Sequence, residues 1–265
     1  MAETKYGYLV VEGPHDVEFA ACLLAPFGLK RVHSENKLTG PLRKLVPHTF
    51  PHGGDLLKRV PVPLFLRSES HLLAIHSAFG DSRLAETLEL SRAAIETGFD
   101  ELIGVGVVLD SDREMLASKR YATLCDAMSV KRFAFPRSPG EFTAGTPRFG
   151  AFVLPDNKEP GNLEDLLIES AGRTYPNLLA SARVHVVNAK NDPSLNPPDS
   201  EDLEKTPIEN KAIVSAIASV LRPGKAIQTS IQDNQWFKGD MLKLPRVEAV
   251  QKFLATLFEL PDPPS

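Results

Sequence analysis

The stretch ELIGVGVVLDSD, Glu101 to Asp112, decides the fold. Leu102 to Leu109 is an unbroken run of β-branched residues, leucine and glycine, the pattern of a strand buried on both faces. It ends on two carboxylates, Asp110 and Asp112, and REMLASKRYATLCDAM then continues as a helix. A strand with no polar face belongs in a largely parallel sheet covered by helices on both sides, where ligands gather at the carboxyl ends of strands.

The same punctuation occurs twice more. YGYLVVEGPHDVEFAACLL, Tyr6 to Leu24, is an apolar strand that ends on Glu12, turns through Gly13 and Pro14, and enters a helix from about His15. GAFVLP is an apolar strand followed by the acidic turn PDNKEPGNLEDLL and a helix from Leu163 to Ser170. Gly and Pro stop strands, Pro suits the first helical turn, and acids in that turn favour the helix dipole, so punctuation alone accounts for part of this pattern. Between these units, HLLAIHSAF, His71 to Phe79, is expected as a strand, and residues 81–98 as a helix capped by Asp81 or Ser82 and ended by Gly98. The Pro-, Gly- and His-rich stretch 30–70 is expected to be an irregular or hairpin insertion. RVHVVNA, Arg183 to Ala189, reads as a short strand, IQTSIQ is ambiguous, and IENKAIVSAIASVL and LPRVEAVQKFLATLFEL read as helices. The expected division is a core over 1–170 with a basic insertion at 29–70, a helical continuation of the same domain over 171–260, and a disordered tail, 261–265.

The bulk composition is that of an ordinary globular chain: of 265 residues, 42% are hydrophobic and 24% charged. No apolar run reaches membrane-spanning length, and MAETKYGYLV lacks a basic region followed by a signal-type apolar stretch, so a cytoplasmic location without membrane association is expected. Cys22 and Cys125 both fall in helical patterns, which suggests neither a disulfide framework nor a cysteine zinc site. The net charge of -4 is unevenly spread, since residues 29–67 hold eight bases and two acids. Lys30, Arg31, Arg43, Lys44, Lys58 and Arg59 in that segment are candidate nucleic-acid contacts, although a solvated basic loop fits the same composition.

If the strands ending at Glu12 and Asp110 are neighbours, three carboxylates converge at one sheet edge. Asp110 and Asp112 face the same side of an extended chain. Such a trio repels itself without a cation, and hard oxygen ligands suit Mg²⁺ or Mn²⁺ rather than zinc.

VEGPHD with a later VVLDSD resembles the Toprim domain of topoisomerases, bacterial primases and nucleases of the overcoming-lysogenization-defect (OLD) type. In that family a glutamate ends the first strand and an Asp-x-Asp ends a later one, as Glu12, Asp110 and Asp112 do here. Gly13, Asp16, GNLEDLL and NKA extend the similarity toward the small standalone prokaryotic Toprim proteins allied to OLD-type nucleases, over about residues 5 to 220. No topoisomerase tyrosine domain or primase accessory domain is recognisable. The resemblance implies a Toprim-like, mostly parallel α/β sheet flanked by helices, and a Mg²⁺- or Mn²⁺-dependent nuclease acting on DNA or RNA. Glu12 would ligate a metal or act as general base, and Asp110 and Asp112 would hold the ion. Asp16, then Glu164 and Asp165, are candidates for a second ion, each also readable as a helix N-terminal acid. Lys211 matches a lysine placed near the scissile phosphate in OLD-type nucleases, and Ser111 and Arg113 flank the motif within reach of phosphate. His15 reads as incidental. Relatives of this sort are linked to phage defence beside an ATPase. This chain has no GxxxxGK[ST] loop, so any ATPase would be a separate partner protein. An oligomer is compatible with all of this. A regulatory Toprim module without turnover and a primase-like nucleotidyl transferase stay open as alternatives.

Overall fold

The structure, a computed structural model, describes residues 4–49, 62–111, 115–196, 201 and 206–263. A six-stranded sheet forms the middle of the molecule. Its strands are β1 (Lys5–Val11), β2 (Lys30–Arg31), β3 (Leu64–Arg67), β4 (His71–Ser77), β5 (Leu102–Asp110) and β6 (Arg148–Leu154), in the spatial order β2-β3-β4-β1-β5-β6. β4, β1, β5 and β6 are mutually parallel, while β2 and β3 pair antiparallel at one edge. The insertion thus contributes two edge strands to the sheet, with 3-10 turns at Glu35–Lys37 and Pro41–Leu45 between them.

Alternation along each strand separates two cores. Leu9 and Val11, Leu73 and Ile75, Val108, and Phe152 with Leu154 face one side. There they meet α1 (Pro14–Leu24), α4 (Leu163–Thr174), α5 (Pro176–Lys190), α6 (Thr206–Leu221), α7 (Ile227–Asp233) and α8 (Pro245–Leu257). Tyr8 and Val10, Leu72 and Ala74, Val105 and Val107, and Ala151 and Val153 face the other side, against α2 (Leu84–Ile95), α3 (Ala117–Val130) and the Pro41–Leu45 turn. The expected α/β architecture, a largely parallel sheet flanked by helices with a helical C-terminal region, is what the structure has. Trp236 is fully buried in the first core, its Nε1 donating to Ser230 Oγ at 2.9 Å.

The stretch read as a strand at 183–189 is helix instead. Leu179, Ala182 and Val186 are buried while Val184 and Val187 are exposed, so the apolar residues follow helical spacing rather than alternation. Pro176 sets its first turn. The helix expected over 81–98 narrows to α2, flanked by 3-10 turns at Asp81–Arg83 and Glu96–Glu101. No described helix is long and apolar enough to cross a membrane.

The two ends of the described chain meet. Lys5 Nζ, at the start of β1, bonds Glu259 Oε2 at 2.7 Å just beyond α8, and Arg148 at the start of β6 pairs with the same carboxylate. α8 lies over β5 and β6. Gly104 and Gly106 permit its close approach, since a Cβ on Gly104 would stand 2.4 Å from the Leu257 carbonyl oxygen.

Candidate functional site

β1 sits between β4 and β5, and the chain leaves it toward β4 before returning past it to β5. That reversal is the switch point at which open α/β sheets leave a crevice beyond the strand ends. Glu12 follows β1 and Asp110 ends β5, so both carboxylates stand at this crevice. The two strand ends are joined there by the Asp110 backbone N–H, which donates to Glu12 Oε1 at 3.0 Å.

Each remaining acid is placed by the helix that follows its strand. α1 begins with Gly13 as cap and Pro14 in its first turn, and Asp16 Oδ2 accepts from Gly13 N at 2.9 Å. α4 begins with a reciprocal capping box. Asn162 Oδ1 accepts from Asp165 N at 3.3 Å, and Asp165 Oδ2 accepts from Asn162 N at 2.9 Å. The same helix start holds Asp110, whose Oδ1 accepts from Leu163 N at 3.0 Å. Asp165 Oδ1 also accepts from Asn210 Nδ2 of α6 at 2.9 Å, which leaves Asp165 serving the helix start and the α4–α6 contact.

Asp16 and Glu164 are buried, while Glu12 and Asp110 are partly exposed. Burial raises the carboxyl of Asp16 to about 7, with the charges of Glu12 and Glu164 adding to it. Burial, then Asp16, Glu12 and Glu164, holds Asp110 well above the usual carboxylate range. Glu12 is also raised by burial, with Arg120 opposing. Four carboxyl groups therefore press on one another here.

Among the described residues, Arg120 of α3 is a cation built into this cluster. Its Nη2 donates to Glu12 Oε1 and to Asp81 Oδ2, both at 3.1 Å, and its Nε donates to the Asp110 carbonyl at 3.0 Å. The reading of the sequence missed Arg120, Asp81 and Asn210. Asp81, expected as a helix cap, faces this guanidinium, and α2 has no side-chain cap bond.

The other expected residues divide. Lys211 is exposed near the start of α6, and its charge acts with burial to lower the His15 imidazole pKa, which places it beside the VEGPHD turn. Ser111, expected at phosphate, is buried instead. Its Oγ accepts from Gly161 N at 2.7 Å and pins the loop before α4. Asp112, Arg113, Lys58 and Arg59 lie outside the described residues.

Among the described residues, the basic segment does not gather at the carboxylates. Lys30 and Arg31 pair with Arg67 and Leu66 at the amino end of the parallel strands, about 20 Å of strand away from Glu12. Arg31 is bound to Glu18, Arg43 to Glu35 at 3.2 Å, and Lys44 to Glu96 at 2.9 Å. Acids within the same folded unit hold these cations, which composition alone did not reveal.

The donor chemistry, hard carboxylate oxygens at a strand-end crevice, fits a divalent ion such as Mg²⁺ or Mn²⁺. Glu12 Oε2 and Asp110 Oδ2 accept no hydrogen bond among the described residues. Those residues by themselves contain no group of three or more His, Cys, Asp or Glu side chains arranged to hold a metal.

A family model described as "Protein of unknown function (DUF3226)" matches residues 6–259. Hypothetical protein PH0156 from Pyrococcus horikoshii OT3, known from a crystal structure, is 18% identical. It aligns over 96% of this chain and 95% of its own with a TM-score of 0.54, a likeness of fold. No curated protein matches the chain. With nearly its whole length covered by that one model, the chain belongs to the DUF3226 family.

Proposed function

We propose that the crevice between β1 and β5 is a Toprim-type site and that the protein is a metal-dependent nuclease acting on DNA or RNA. The observation that carries this reading is the meeting of Glu12 and Asp110 across the switch point, joined by the 3.0 Å bond from Asp110 N to Glu12 Oε1. Two further acids, Asp16 and Glu164, act on Asp110. Glu12, Asp110 and Asp112 would hold Mg²⁺ or Mn²⁺, with Asp16 and Glu164 nearest for a second ion. Bound there, the ion would supply Lewis-acid stabilisation of charge on phosphate oxygens.

The chain's own groups have separate tasks. Where Asp110 and Asp112 hold the ion without it, Glu12, raised by burial, is instead suited to take a proton from an attacking water at its Oε2. Lys211 offers a positive charge beside the same turn for the phosphate. Arg120 holds Glu12 and the Asp110 carbonyl in register. Phage defence and a separate ATPase partner belong to the same reading.

A second reading, a regulatory module without turnover, draws on Arg120, because a guanidinium already neutralises Glu12 without a metal. Cleavage of plasmid, single-stranded DNA and RNA in Mg²⁺, Mn²⁺ or EDTA separates the two. Labelled nucleoside triphosphates in parallel reveal any incorporation. The nuclease reading expects metal-dependent cleavage that Glu12→Gln and Asp110→Asn each lower by about two orders of magnitude or more. Unchanged cleavage in both variants overturns the assignment, and incorporation in place of cleavage would favour a transferase.

A further inference from the structure

A cavity of about 410 Å³ opens between the Pro41–Leu45 turn, the end of β4 and α2, on the face opposite α1. It falls within the range of small-ligand pockets, roughly 300–1,000 Å³. Three features of its wall point to one kind of occupant.

The first is His76. Its imidazole lines the cavity at 9% exposure, and its Nε2 is buried with no hydrogen-bond partner. Its Nδ1 is engaged by Tyr8 Oη at 2.8 Å, and that hydroxyl lies 2.6 Å from Ser91 Oγ. If Tyr8 donates to Nδ1, Nε2 carries the proton and donates. If Tyr8 donates to Ser91, the proton sits on Nδ1 and Nε2 accepts. A small rotation of the ring that opens Nε2 to the cavity would therefore let it meet a ligand edge of either polarity. Burial lowers its pKa to about 4, so it does so as a neutral group.

The second is Phe79. It lines the cavity yet is 57% exposed, and it holds a left-handed φ of 55°, uncommon for a bulky side chain. The backbone on both sides is fixed, with Ala78 N donating to Val11 O at 2.8 Å and Gly80 N to Glu12 O at 3.0 Å. An aromatic ring held out of the core in a strained conformation is suited to contact something else.

The third is charge. Lys44, His48 and Arg83 line the cavity, and each has a carboxylate within 4.0 Å: Glu96, Glu35 and Glu86. The wall therefore favours a neutral flat ring with a hydrogen-bonding edge over a phosphate.

We infer that this cavity receives one nucleobase of the substrate strand, stacked on Phe79 with its edge on His76 Nε2. Its place as part of a nucleic acid rests on the nuclease reading. Phe79 and Asp81 are two residues apart, at most about 7 Å of chain, and Asp81 shares Arg120 with Glu12. A strand whose phosphate meets the carboxylates would have its neighbouring base, unpaired or extruded, beside the cavity.

The test uses full-length protein carrying Asp110→Asn, in EDTA, titrated calorimetrically with adenosine, guanosine, cytidine, uridine and thymidine. ¹⁵N NMR follows the His76 imidazole in the same samples. At least one nucleoside is expected to bind and move the Nε2 resonance. Phe79→Ala, at an exposed position, should weaken that binding about tenfold, the scale of one base–aromatic stack. His76→Gln should change which nucleoside binds best. No binding by any nucleoside, or the same binding in both variants, overturns the inference. These titrations involve no cleavage. Nucleoside binding together with undiminished cleavage by Glu12→Gln would uphold the cavity and defeat the nuclease assignment. Lost cleavage without nucleoside binding would do the reverse.

Discussion

Asp16 caps α1 and also belongs to a crowded anionic cluster, and the two roles pull against each other. A carboxyl raised from 3.8 to about 7 in the fold still holds its proton where the unfolded chain has lost it. Folding then takes up a proton between about pH 4 and 7, and stability falls as pH rises through that window. His76, lowered from 6.5 to about 4, has the opposite sign: the unfolded chain holds a proton that the fold rejects, so stability falls on acidification from 6.5 to 4. Asp16→Asn keeps an oxygen for Gly13 N and removes the first trend. Calorimetry in EDTA should show its Tm raised at pH 7.5, by about 2–4 °C per kcal/mol relieved. It should also fall more steeply than the wild type between pH 6.5 and 4. A lower Tm at pH 7.5 would mean that the anion of Asp16 is stabilised. Glu12 and Asp110 were legible in the sequence because each interrupts an apolar run. Arg120 was not, because its partner Glu12 is 108 residues away and nothing in ASKRYATL marks one helix cation above another.

At the scale of elements, strands buried on both faces were readable from composition alone, as β1, β5 and β6 show. Residues 183–189 misled because VHVV is β-branched, while its partners, Leu179 and Ala182, lie earlier on the same helical face. The edge strands β2 and β3 are too short, at two and four residues, to show any period. The glycines give a paired prediction. Gly104→Ala places a methyl against the Leu257 backbone and should cost about 1–3 kcal/mol in urea unfolding. Gly172→Ala, inside α4 with its nearest contact at 3.8 Å, should be neutral or stabilise by up to about 1 kcal/mol. Equal costs would show that α8 does not pack on β5 as described.

At the scale of the whole molecule, the carboxylate cluster draws on elements from distant parts of the chain: β1, β5, α3, and the starts of α1, α4 and α6. That dispersal explains why the strand ends were recognisable while the arrangement around them was not. It also makes the Lys5–Glu259 ion pair more than a surface contact. Because the first strand begins where the last helix ends, the covalent order of the chain is separable from its architecture. A circular permutant that joins these ends through a short linker and opens in the exposed turn at Asp192–Leu195 should fold to the same circular dichroism spectrum. Its Tm should lie within about 5 °C of the parent, since closing a short surface loop costs little. In such a molecule β1 would no longer be made first, because α6, α7 and α8 would precede it, and Asn210 would be synthesised before Glu12 and Asp110. Retained folding would then show that the site is specified by spatial neighbours rather than by order of synthesis.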